Sequence, residues 1–317
     1  MLFTRNKINI DNYKYFLKSI FSSSHLNFLF GAGVNGKLFP QTNSEKIKKE
    51  FRKIIKNYND SIGLEENISS LYDDNQDNWK EYEIKIIEIF KKYNDEAMNM
   101  CNFNNNDFLD FYNLLKKIVE IIEETDNRNL SMHELNIFTL NYDTIIDKIL
   151  ENLNIEYMVY DNKNIVTKSH SLETISYDYT IKKFFSKINV FKIHGNIKNS
   201  NIVIPSYNKY EEIIKNSYFE ILSTFKRKME RSNSILVTIG YGYGDMHINN
   251  LISNYIQKQV LLINFNYGEK ISKNFDIFKN NIKSHSEKII NIPHSEKINS
   301  TNFLFDLLNN NVLKNEK

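Results

Sequence analysis

Five times along this chain a short apolar run of strand length gives out onto glycine or a polar side chain. LNFLF runs into GAGVNG (31–36), LNIF into TLNYD (139–143), and INVF into KIHGN (192–196). SILVT leads into IGYGYGDMHIN (239–249), and VLLI ends at Asn264. Stretches of helical spacing lie between these runs. Strands alternating with helices fit an α/β fold with a Rossmann-like, open, mostly parallel sheet. Such sheets bind ligands outside the carboxyl ends of their strands, which is where the glycines and polar groups collect here.

The rest of the chain is read around that frame. Residues 11–22 form an amphipathic helix with Tyr13, Phe16, Leu17 and Ile20 on one side. Ser44 is placed to cap a helix over 45–55, 60–79 is polar and loop-rich, and helical patterns follow at 81–93 and 107–123. About 42–130 is thus a mostly helical insertion within a single domain spanning 1–317. Ile145, Ile146, Ile149 and Leu150 give the helix after TLNYD an apolar face. Further strands are expected at 155–160, 188–195, 201–205, 260–265 and 288–292, with helices at about 211–231 and in the closing TNFLFDLL.

Composition removes several function classes. Lys plus Arg number 41 against 39 Asp plus Glu, and the two signs are interleaved, so there is no electrostatic case for a nucleic-acid or membrane partner. A single cysteine, Cys101, excludes an internal disulfide and any multi-cysteine zinc site. No apolar run approaches the ~20 residues of a membrane helix. MLFTRNKINIDNY lacks the long apolar core of a signal peptide, so a cytoplasmic protein is expected.

GAGVNG takes three of the chain's nine glycines. Gly31, Gly33 and Gly36 spell G-x-G-x-x-G, a pattern whose backbone amides receive a pyrophosphate when it opens a helix. KLFPQ is a poor helix start, so a plain tight turn is the competing account, and Phe39 and Pro40 suggest a loop over a pocket. In TLNYD, Thr139 and Asn141 share a strand face, and Asp143 is placed to cap the next helix. His194, beside Gly195 at a strand end, suits a general base, with a structural histidine as the alternative. Gly240, Gly242 and Gly244 expose amides in a second glycine turn, Asp245 follows as a cap, and His247 falls in the first helical turn. Asp245, His247 and His194 have no reliable ligand spacing, and no metal is expected.

Taken together and in this order, these motifs resemble the sirtuin family, in particular the sirtuin-like domains of bacterial anti-phage defence proteins. The resemblance implies that Gly31, Ala32 and Gly33 cradle NAD phosphates, and that Thr139, Asn141 and Asp143 line the nicotinamide-ribose side. It makes His194, followed by Gly195, the catalytic histidine. The G-Y-x-x-G-D-x-H-I sequence of the defence branch matches Gly240 to Ile248, bringing in Gly242, Asp245 and His247, and Asn264 closes the adenine-ribose region. Two departures matter: the four zinc-binding cysteines of the protein deacylases are missing, and no arginine follows Phe39 and Pro40.

These departures favour an NAD glycohydrolase, with NAD as substrate and no metal, over an NAD-dependent protein deacylase or a non-catalytic nucleotide sensor. His194 and Asn141 are the expected catalytic pair. The resemblance further implies a homo-oligomer and a separate effector such as an ATPase. A charged side chain at Gly33 is expected to abolish NAD binding and leave the fold intact.

Overall fold

The structure, a computed structural model, describes residues 10–42, 44–124, 134–161, 165–168, 187–206, 218–268, 270–294 and 298–309. Its centre is one eight-stranded sheet. The strands are β1 (His25–Phe30), β2 (Glu134–Thr139), β3 (Tyr157–Tyr160), β4 (Ile165–Lys168), β5 (Lys187–Lys192), β8 (Ser234–Ile239), β9 (Leu261–Tyr267) and β10 (Ile289–His294). The order is β10-β9-β8-β1-β2-β5-β3-β4, and every pairing is parallel except that of β4 with β3. The short β6 (Gly195–Asn196) and β7 (Asn201–Ile202) make a separate antiparallel pair just beyond β5.

Both faces of the sheet are covered, which is why its central strands are buried and mostly apolar rather than alternating. On one face α1 (Ile10–Ser23), α5 (Asn106–Glu124), α6 (Ile145–Asn152) and α10 (Ser300–Asn309) bury Leu17, Phe111, Ile146 and Leu304 among others. On the other, α7 (Tyr218–Met229), α8 (Met246–Lys258) and α9 (Lys273–Asn281) bury Phe225, Ile252 and Phe275. From β1 the chain adds strands on one side through β2 and later returns to the other side at β8. Strand β1 is therefore the point at which the direction of strand addition reverses, and ligands of such sheets bind in the crevice at the carboxyl edge beside such a switch point.

Within the expected insertion, α2 (Glu45–Ile54), α3 (Leu64–Asp74) and α4 (Trp79–Met100) enclose a core of their own, built on Ile47, Phe51, Ile68 and Phe90. Helix α5 instead belongs to the sheet core. The stretch 60–79, expected as loop, contains α3 and a 3-10 turn over Gln76–Asn78. Leu64, Ile68 and Leu71 are buried at helical spacing, and the Gly63 amide donates to Glu66 at 3.2 Å. The dense polar residues between them hide that periodicity. The expected strand at 201–205 shortens to β7, β4 has no counterpart in the sequence reading, and the first residues of the expected 211–231 helix lie outside the described residues. Cys101 is buried at the end of α4, where desolvation pushes its thiol up to about 12 and leaves it inert.

Register is written in buried amides. Asn27, Asn136 and Asn189 stand opposite one another on β1, β2 and β5. Asn136 donates to Asn27 Oδ1 at 3.1 Å, Asn189 donates to Glu134 Oε1 at 2.9 Å, and Asn27 donates to the Ile235 carbonyl at 3.1 Å. A second row crosses the other half of the sheet. There Thr238 donates to Asn264 Oδ1 at 2.8 Å and Asn264 donates to Asn291 Oδ1 at 2.7 Å.

Asp110 on α5 gives the helical face a pH signature. Burial first, then the nearby Asp107 and Asp306, push its carboxyl up to about 6, against a lowering hydrogen bond from Asn299. A raised folded value means the folded state holds the proton more tightly, so this stability is present below pH ~4 and is lost as pH rises to about 6. Asp110→Asn should flatten that stretch of the stability curve, by about 1 kcal/mol after allowing for solvent screening, in urea melts between pH 4 and 7.

Candidate active site

The crevice is a cavity of about 680 Å³ at the carboxyl ends of β1, β2, β5, β8 and β9. Its walls include Gly31, Ala32, Gly33, Asn141, Asp143, His194, Gly240, Gly242, Asp245 and Asn264, so most sequence-expected site residues meet there. Thr139, Gly195 and His247 are not part of its lining. Phe39 and Pro40 also line the cavity, as a loop folded over a pocket would.

The two glycine loops touch backbone to backbone. The Gly31 amide donates to the Ile239 carbonyl at 3.1 Å and the Gly33 amide to the Gly240 carbonyl at 3.0 Å. A Cβ on Gly31 would lie 2.4 Å from Gly240 O, and one on Gly33 would lie 2.9 Å from Gly240 Cα. Gly240 itself has φ +64°, and a Cβ there would meet Val34 N at 2.2 Å. These glycines are small because another backbone lies against them, and the amides of Gly31 and Gly33 are committed to that neighbour. The expectation that a charge at Gly33 leaves the fold intact is therefore corrected: any side chain there wedges the two loops apart. The loop after β1 forms one 3-10 turn, Ala32–Asn35, rather than opening an α-helix.

Asn141 and His194 come from the neighbouring strands β2 and β5. The Asn141 amide nitrogen reaches back to Thr139 Oγ1 at 3.0 Å, so Thr139 acts as a turn former. Asn141 Nδ2 donates to the Gly31 carbonyl at 3.1 Å, leaving its Oδ1 and second amide hydrogen for a ligand. Asp143 is a structural hub: Oδ1 accepts the Ile145 amide at 3.0 Å and Oδ2 accepts Asn35 Nδ2 at 2.6 Å. Burial raises its carboxyl pKa, and the Lys192 charge pulls it back down. Asn264 is nearly sealed in its β9 network, receiving from Thr238 and Tyr243 and donating to Asn291. Asp245 sits at the N-cap of α8, yet its side chain makes no capping hydrogen bond.

Two contributors were missed from sequence. Asn35, inside the GAGVNG motif, lines the cavity, and its buried Oδ1 has no hydrogen-bond partner among the described residues. Orphaned buried acceptors call for an unplaced donor, such as a ligand N–H or O–H. Lys192, two residues before His194, is fully buried. Its Nζ donates to the Asp143 carbonyl at 2.5 Å and pairs with Asp147 Oδ2 at 2.8 Å, tying β5 to the start of α6. A lysine at the end of an apolar strand is the only sequence signal of that role.

The helical insertion reaches this edge as well. Tyr142 packs on Phe90 of α4 with ring centroids 5.1 Å apart, and Asn94 Oδ1 accepts the Thr144 amide at 2.9 Å. A residue of the insertion thus holds the N-cap residue of α6.

Residues 135–261 match the family model of the SIR2-like domain. That stretch contains Asn141, Asp143, His194 and the turn from Gly240 to His247, while the loop at 31–36 and Asn264 lie outside it. A solved structure, "Structural Basis for the Mechanism and Regulation of Sir2 Enzymes", aligns over 94% of this chain and 98% of its own at 9% identity, with a TM-score of 0.41. Comparison with curated proteins finds no match.

Gly240→Ala should lower the melting temperature by the equivalent of about 2–4 kcal/mol, since it adds both strain and overlap. Gly242→Ala, with nothing within 4 Å of the new Cβ, should leave the melting temperature within about 0.5 kcal/mol of the parent. Lys192→Met alone should cost about 3–5 kcal/mol by stranding Asp147, and Lys192→Met with Asp147→Leu should recover most of it in the same melts.

Proposed function

We propose that this protein is an NAD glycohydrolase that releases nicotinamide and ADP-ribose. The observation that carries the reading is the convergence of Asn141 and His194, from adjacent parallel strands, on a cavity walled by both glycine loops. The cavity's size suits a nucleotide-sized ligand. The SIR2-like match over 135–261 favours NAD as that ligand.

The bond from ribose C1′ to the nicotinamide nitrogen breaks with its electron pair going to the ring, which leaves as neutral nicotinamide. The ribose is left oxocarbenium-like, and water adds to C1′. His194 accepts the proton released from that water or from a ribose hydroxyl, a contribution of ~10²–10⁴ in rate. Asn141, pinned through Nδ2 to Gly31, presents Oδ1 to orient the ribose or the water. Asn35 Oδ1 accepts a donor of the bound substrate. Asp143 stays a loop anchor, held from three sides by Ile145, Asn35 and Lys192.

Phosphates are received by the mouth of the second glycine turn and by amides other than those of Gly31 and Gly33. Gly242 has open space around it, so Gly242→Asp puts a negative charge at that mouth without disturbing packing. The single, buried Cys101 leaves the four-thiolate zinc module of the deacylases without ligands. We assign the protein to anti-phage defence in the bacterial cytoplasm, acting as a homo-oligomer with a separate effector.

The test is chromatographic measurement of nicotinamide and ADP-ribose from the full chain, with and without an acylated peptide. Nicotinamide release independent of peptide is expected, and release only with peptide would replace this reading by deacylation. His194→Ala should cut the rate by about 10²-fold or more with little change in NAD affinity. Asn141→Ala should lower turnover similarly and also weaken binding. A folded His194→Ala enzyme at the parent rate would refute the assignment of the base.

A further inference from the structure

The least expected convergence in the cavity is that of His194 at the end of β5 with Asp245 and His247 at the start of α8. One ligating atom from each, an imidazole nitrogen or a carboxylate oxygen, lies within 4.8 Å of the other two. The two imidazole rings are tilted by 41°, with centroids 6.0 Å apart. An N-cap carboxylate ordinarily bonds to the amides of its own helix, and Asp245 does not. It stands with the two histidines instead.

We propose that His194, Asp245 and His247 bind a divalent transition-metal ion, and that its binding switches the enzyme off by taking the nitrogen of His194. Two imidazoles and one carboxylate are the donor set of zinc, iron(II), cobalt(II) and nickel(II), whereas magnesium and calcium want oxygen. A metal at about 2.0–2.2 Å from each atom draws the three together by roughly an ångström, which side-chain torsions at a helix start supply. Three protein ligands leave at least one coordination position open. His194 and Asp245 line the cavity, so that position gives onto it.

The regulatory part rests on the glycohydrolase reading, while metal binding does not. Proton transfer needs a free lone pair on His194. A bound ion occupies it, so the ion and the reaction compete for one atom. A site of three ligands, two of them half-buried, releases its ion to a chelator, so chelation raises activity.

The experiment uses the full chain stripped with chelator and titrated with Zn²⁺ by calorimetry and with Co²⁺ by visible absorption. One ion per chain is expected, together with a metal-dependent rise in melting temperature. Asp245→Asn and His247→Ala, each confirmed as folded by its melt, should weaken binding by more than the ~10–100-fold typical of losing an outer-shell partner. Zn²⁺ should suppress nicotinamide release by the parent, and chelator should restore it. In His247→Ala, whatever its own rate, the same Zn²⁺ concentration should have no effect. No stoichiometric binding, or binding unchanged by His194→Ala, Asp245→Asn and His247→Ala, overturns the site. Binding as described with nicotinamide release indifferent to Zn²⁺ overturns the switch. Binding as described leaves the site standing whether or not the metal-free protein releases nicotinamide.

Discussion

Two peptide chains pressed together without side chains between them hold this molecule's working edge in shape. Where the loops after β1 and β8 meet, Gly31 and Gly33 each donate an amide across the gap, to Ile239 and Gly240. Everything at the crevice is hung from that joint. Asn141 is oriented by its bond to the Gly31 carbonyl, the 3-10 turn brings Asn35 to Asp143, and the second loop runs on to Asp245 and α8. The absence of side chains at the contact is what lets strands on either side of the topological switch present their ends to one cavity.

A second tier of contacts carries the helical insertion into the same edge. Tyr142 lies between the cavity-lining residues Asn141 and Asp143 in sequence, yet its ring belongs to the core of α2–α4. Asn94 of α4 accepts the amide of Thr144, the residue before α6, and the Tyr142 carbonyl accepts the Ile197 amide at 2.9 Å. The insertion is thus bonded to and packed against the backbone that follows Asn141.

The parallel sheet was legible because strands buried on both faces write themselves as uninterrupted apolar runs, and the crevice because those runs end in glycine and polar residues. What stayed hidden had a common cause: the deciding partner is remote in sequence. GAGVNG looks like a phosphate loop when read alone, and only Gly240, more than two hundred residues on, explains Gly31 and Gly33. Lys192 looks like an ordinary strand-end lysine until α6 brings Asp147 against it. Asp245, His247 and His194 can be named together from the sequence, but they have no ligand spacing there, and only the fold brings their donor atoms within 4.8 Å of one another. Helix α3 was lost for a local reason, because Leu64, Ile68 and Leu71 are separated by a run of acids, serines and asparagine.

The asparagines threaded through β1, β2 and β5 give the sheet something its apolar side chains do not. A strand buried on both faces slides past its neighbour by one or two residues at little hydrophobic cost, because every position is greasy. Asn27, Asn136 and Asn189 end that indifference: each amide finds its partner at one offset and is stranded at every other. They serve as an alignment code for a chain that must match segments far apart in sequence.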